Sequence, residues 1–149
     1  VTPQFRFRLE RVRTVRKHTE DIAARQLAGA IDTRSRSELE VRRAEAQIAA
    51  ARNARLAAAD EPTSGADLLA TQSWLEGVER IREAKLAALR RDEREVARKR
   101  TALTEAAAKR KALDRLEARR RREFEREELR QEVKRLDEIG LTPFGGAAA

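Results

Sequence analysis

The sequence predicts an all-α fold: two long helices forming an antiparallel coiled-coil hairpin, with the second helix overhanging at the end that holds both termini. Three observations carry this. Charged residues make up 40% of the 149 positions and aromatics only 3%, which leaves too little apolar mass for a thick core. Ala, Glu, Arg, Lys and Leu dominate, and these lose least entropy in a helix. Leu, Val and Ile recur at heptad spacing on either side of a single clear turn sequence.

Thr2-Pro3 suits a helix start, Thr as a cap and Pro at the first helical position. Phe5-Arg6-Phe7-Arg8-Leu9 alternates as a strand would, yet Phe5, Leu9 and Val12 share a helical face and only the helical frame continues. Helix 1 is therefore expected over about residues 4–59. Its seam is read through Val15, Thr19, Ala23, Leu27 and Ala30, then Val41, Ala44, Ile48 and Ala51. The steps of four from Val15 to Leu27 predict local unwinding of the supercoil.

The chain is expected to turn at residues 60–67, where Pro62 and Gly65 sit among small polar residues. Ser64 and Asp67 have the spacing of a capping box, with Asp in place of Glu or Gln. Helix 2 is expected over about 66–139. Leu68, Leu75, Leu89, Val96 and Leu103 are spaced by multiples of seven, and Val78, Ala106 and Leu113 fall three residues after seam positions. The pattern then thins through Phe124, Leu129, Val133, Leu136 and Ile139 until Gly140 and Pro143 stop it. Residues 1–140 read as one coiled-coil domain and 141–149 as a disordered tail.

A short turn between long helices makes them antiparallel, so residues whose numbers sum to about 127 should face each other. Val41 should meet Leu86, and Leu27 should meet Arg100. Helix 1 would be about 75 Å long and helix 2 about 105 Å. The net charge of +8 is concentrated: residues 1–25 hold seven Lys/Arg against three acids, and residues 109–135 hold twelve against seven. Chain reversal brings these two basic segments to one end. Residues beyond about 124 then continue as a single helix with exposed apolar side chains, a docking tip.

Catalytic chemistry finds no foothold. His18 is the only histidine and there is no cysteine, so a metal site would need carboxylates alone. No Gly-rich phosphate loop follows a strand, and no catalytic, cofactor-binding or metal-binding residue is assigned. No apolar run approaches the roughly 20 residues needed to span a bilayer, and none follows the basic N-terminal residues as in a signal peptide. The start at Val1 and the absence of Met are what removal of an initiator, or a longer parent chain, would leave.

Arg34, Arg82, Asp92, Lys99 and Arg110 occupy seam positions. Long cations there can lay their methylenes along the seam, or they can fix register, in which case Arg34 should fall near Asp92 and Glu93, and Arg82 near Glu45. Trp74 and Ile81 widen the apolar face of helix 2, either as a second partner surface or with Trp74 folded over the turn. Arg119-Arg120-Arg121-Arg122 lacks the aromatic interleaving of a nucleic-acid site and reads as a solvated face.

Three stretches, Phe5 to Val12, Leu68-Leu69 to Trp74-Leu75, and Lys109 to Leu116 leading to Leu136-Asp137-Glu138-Ile139, together resemble the flagellar export protein FliJ family. The resemblance implies a non-enzymatic, cofactor-free coiled coil of the bacterial type III export apparatus, similar to the stalk of rotary ATPases. It implies a part in flagellum biogenesis, and through it in motility and chemotaxis. Its implied partners are the export ATPase ring, the cytoplasmic domain of the export gate membrane protein and export chaperones, with no nucleic acid and no membrane insertion. Its implied location is cytoplasmic, peripheral to the cell membrane. The ATPase-binding tip would comprise Arg6, Arg8, Arg11, Arg13, Arg119, Arg120, Arg121, Arg122, Phe124, Leu129 and Val133. The gate contact would map by position to Trp74, Val78, Ile81 and Lys85. A generic coiled-coil scaffold, an injectisome stalk protein and a basic nucleic-acid-binding rod are the alternatives.

Overall fold

The computed structural model describes residues 4–58 and 62–141. They form two α-helices, α1 (Glu10–Ala57) and α2 (Gly65–Leu141), packed against each other as an antiparallel hairpin, with no strand among the described residues. The chain divides into two compact units, each built from both helices: residues 21–105, here the turn unit, and residues 1–20 with 106–149, here the terminal unit.

In the turn unit the seam of α1 runs Ala23, Leu27, Ala30, Arg34, Ser37, Val41, Ala44, Ile48 and Ala51, all wholly or half buried. These steps alternate four and three without a break, which is the spacing that keeps one face toward a partner helix. The facing seam of α2 has the same alternation through Leu75, Val78, Arg82, Lys85, Leu89, Asp92, Val96, Lys99 and Leu103. Ala23, Val41, Ala44, Ile48 and Val78 are the most buried residues here. Arg34 meets Glu93 at 3.8 Å and Arg82 meets Glu45 at 3.5 Å, both in the register expected of a reversal near Pro62. Asp92 accepts a hydrogen bond from Ser37 instead of pairing with Arg34. Lys99 reaches Gln26 at 3.1 Å, and Arg52 pairs with Glu79 at 3.0 Å. The polar seam residues of this unit thus bond across to the other helix as well as covering the seam.

The start of α2 is fixed by Ser64. Its Oγ accepts the Asp67 N–H at 3.2 Å, and its carbonyl accepts the Leu68 N–H at 3.1 Å. The Asp67 carboxylate accepts the Ser64 hydroxyl proton at 2.6 Å, so this variant of the capping box is closed between side chains. Asp67 also sets a negative charge in the first turn, where the helix dipole favours it. The part of the expected turn at 59–61 and the expected tail at 142–149 lie outside the described residues, as does the Thr2-Pro3 cap.

The terminal unit corrects the sequence reading in two places. First, α1 begins at Glu10, and residues 4–9 are not helical. Phe5 and Phe7 are half buried while Arg6 and Arg8 are exposed, so the period-two pattern decides the local structure. Packing the aromatic rings inward satisfies this segment better than the helical face shared by Phe5, Leu9 and Val12. Second, Val15 and Thr19 do not lie in the seam: Val15 is 63% exposed, whereas Arg13 and Glu20 are half buried. With them go the run of fours and the unwinding expected from it. On α2 the seam continues through Ala106, Arg110, Leu113, Glu117 and Phe124. Arg110 bonds to Glu20, and Arg13 to Glu117, which is why charged residues displaced Val15 and Thr19.

Candidate protein-docking surfaces

In the terminal unit the non-helical segment lies against α2. The Phe5 ring stands 5.7 Å from that of Phe124, tilted by 52°, a favoured arrangement for aromatic pairs. The Arg121 guanidinium lies 5.6 Å from the Phe5 ring centroid, within cation–π range. Phe5, Phe7, Leu9, Leu116, Arg120 and Phe124 line an open recess of about 880 Å³. Past Phe124, α2 runs on to Leu141 with Leu129, Val133 and Leu136 each more than half exposed.

The cations of this surface fall into two groups. Arg13 pairs with Glu10 and Glu117, Arg119 and Arg120 both pair with Glu123, and Arg121 pairs with Glu117. The hydrogen bond that Arg13 donates to Glu10 holds its guanidinium more firmly protonated, and those that Arg110 donates to Glu20 do the same for it. The Glu123 carboxyl is held below its ordinary range, first by its hydrogen bond to Arg119. Arg6, Arg8, Arg11 and Arg122, by contrast, are exposed and stand in no ion pair among the described residues, although Arg122 Nε donates to the Ala118 carbonyl at 3.2 Å. Four of the eight arginines read from the sequence as the tip thus present open charge, and the others are engaged within the unit.

In the turn unit the four residues mapped to the gate contact separate. Trp74 and Ile81 are half exposed, at 49% and 53%. Val78, at 8%, is spent in the seam. Lys85 donates to Glu40 at 2.7 Å, and that hydrogen bond is the largest cause holding the Glu40 carboxyl below its ordinary range. Only Trp74 and Ile81 are therefore presented as an apolar surface. They precede the seam residues Leu75 and Arg82 by one position and so lie on one flank of it, at a spacing shared by Ala70, Gly77, Ala84 and Ala88. Sequence reading missed Leu56, which is 74% exposed, and named Leu69, 68% exposed, only within the family resemblance.

Among the described residues no group of His, Cys, Asp or Glu is arranged to hold a metal ion, and no helix is long and apolar enough to cross a membrane.

A family model described as Flagellar FliJ protein matches residues 5–148. No curated protein sequence matches the chain. Among solved structures, one described as a YscO homolog from Chlamydia trachomatis superposes with a TM-score of 0.68 at 19% identity, covering 92% of this chain and 93% of that one. At that identity the likeness is one of fold.

Proposed function

We propose that this chain, which belongs to the flagellar FliJ protein family, works in type III protein export by binding, without catalysing a reaction of its own. In this reading the terminal unit enters the ring of the export ATPase as a stalk, and the first turns of α2 contact the cytoplasmic domain of the export gate. The protein escorts export chaperones and works at the cytoplasmic face of the membrane.

The observation that carries the reading is the make-up of the terminal unit. It joins the N-terminal segment to the basic part of α2, leaving Arg6, Arg8, Arg11 and Arg122 open beside a helix whose Leu129, Val133 and Leu136 are exposed. Open cations speed and orient encounter with an acidic lumen. An exposed apolar helix face supplies contact area once inside.

A pull-down with the cognate export ATPase tests this. The full chain should be retained at low salt and progressively lost as salt screens the encounter. The triple variant R6E/R8E/R11E should be released even at low salt, with its helical content intact. Absence of any retention of the unaltered chain at low salt would remove the stalk reading.

A further inference from the structure

Residues 4–7, ahead of α1, carry no regular structure, and their side chains alternate as in a strand, with Phe5 and Phe7 half buried and Gln4 and Arg6 exposed. A turn closes the segment where the Phe7 carbonyl accepts the Glu10 N–H at 3.2 Å. Among the described residues, the backbone N–H groups of Gln4, Phe5, Arg6, Phe7 and Arg8 make no hydrogen bond, nor do the carbonyls of Phe5, Arg6 and Arg8. Both helices bond their own backbones, so an open strand edge is offered here and not along them. The segment lines one side of the recess of about 880 Å³, together with Leu116 and Phe124 of α2. Arg6 and Arg8 also line it and stand in no ion pair among the described residues. The acids of α1 and α2 nearest them in the unit are already engaged, Glu10 by Arg13 and Glu123 by Arg119 and Arg120.

From this we infer that residues 4–8 take up an acidic peptide in extended form, which lies along the recess and pairs its backbone with theirs. The pattern of that peptide follows from the segment, because side chains opposite one another across a strand pair lie on the same face. On the face of Phe5 and Phe7 the peptide sets apolar side chains, which fill the recess against Leu116 and Phe124. On the face of Arg6 and Arg8 it sets carboxylates, and opposite charges across a strand pair attract. The ligand therefore alternates an acid with an apolar residue. A helix would not serve, because its own N–H and C=O groups are spent internally and those of residues 4–8 would gain no partner. A basic strand would set like charges beside Arg6 and Arg8. Such recognition does not depend on the stalk reading, since the segment selects the chemistry of the peptide and not its source.

The probe is a short blocked peptide of alternating Glu and Leu, titrated into the full chain at low salt and followed by amide NMR and hydrogen exchange. Amides within residues 5–8 should shift, and some should exchange about tenfold more slowly at saturation, while those of Val41 and Ile48 stay as they were. The matching peptide of Lys and Leu should bind about tenfold more weakly or worse. The variant R6E/R8E should lose a similar factor, whereas R6K/R8K, which keeps both charges, should bind as the parent does. Equal affinity for the two peptides, or an unweakened R6E/R8E, would overturn the acidic preference. Binding with no slowed amide in residues 5–8 would mean that charge alone holds the peptide, and strand pairing would fall. If the Glu and Leu peptide does not bind at all, the inference falls while retention by the export ATPase leaves the stalk reading in place. Loss of that retention with the peptide still bound would do the reverse.

Discussion

The turn unit and the terminal unit use the same three-and-four spacing for different ends. In the turn unit Val41, Ile48 and Val78 are buried, with Ala23 and Ala44, and polar seam residues punctuate an aliphatic core. In the terminal unit Ala106 is the only described residue buried to that degree. Its seam is held by Arg13 with Glu117, by Arg110 with Glu20, and by one aromatic pair. Heptad spacing therefore says where two helices touch, and the residues at those positions say how firmly. Exposed or half-exposed ion pairs contribute little stability each but resist misalignment, whereas each buried aliphatic side chain contributes on the order of 1.5–3 kcal/mol.

That contrast can be broken most directly in the aliphatic unit. Ile48→Ala should cost about 2–4 kcal/mol by denaturant unfolding, because it removes a buried side chain from a seam with few others. A cost under about 1 kcal/mol would mean that the seam is not the source of stability, in contradiction to the cavity argument. A smaller and more local effect is expected from Phe124→Ala. It removes the ring partner of Phe5, worth about 1 kcal/mol, so amide exchange should quicken in residues 4–9 while the amides around Val41 and Ile48 keep their protection. Equal quickening in both places would erase the distinction between the units.

The smallest effect concerns pH. The Glu40 carboxyl is held low by Lys85 and Arg43. Its stabilising contribution is therefore present above the ordinary carboxylate pKa, about 4.3, and is lost as pH falls through the lower folded value. Glu40→Gln should lower the thermal midpoint at pH 6 and leave it nearly unchanged in strong acid, where Glu40 is itself neutral. Glu123 follows the same sign in the terminal unit through Arg119. A variant that lowered the midpoint equally at both pH values would show that Glu40 acts by packing instead of charge.

Much of this architecture was legible in the sequence. The leucines of α2 mark its seam because they are large and regular, and Pro62, Ser64 and Asp67 mark the turn and the cap. The register followed, since Arg34 and Arg82 found the acids expected of them. The failures share a cause. Val15 and Thr19 look more suited to an interior than Arg13 and Glu20, but a two-helix seam is narrow enough for paired charges to occupy it. The segment from Phe5 to Leu9 fits two periodicities, and its packing against α2, with Phe5 on Phe124, goes with the period-two one. The residues read from the sequence as a tip and a gate contact were chosen by type alone. That Val78 is spent in the seam and that Lys85 is held by Glu40 required both helices to be in place.

The charges along the seam of the turn unit have a mechanical consequence. Sliding one helix by a heptad in one sense would carry Arg34 to Arg100 and Arg82 to Arg52, like charge onto like. Sliding it in the opposite sense would carry Arg82 to Glu38 and Arg34 to Leu86. Such a pattern works as a directional catch: a pull along the helix axes meets electrostatic resistance in one sense that it does not meet in the other.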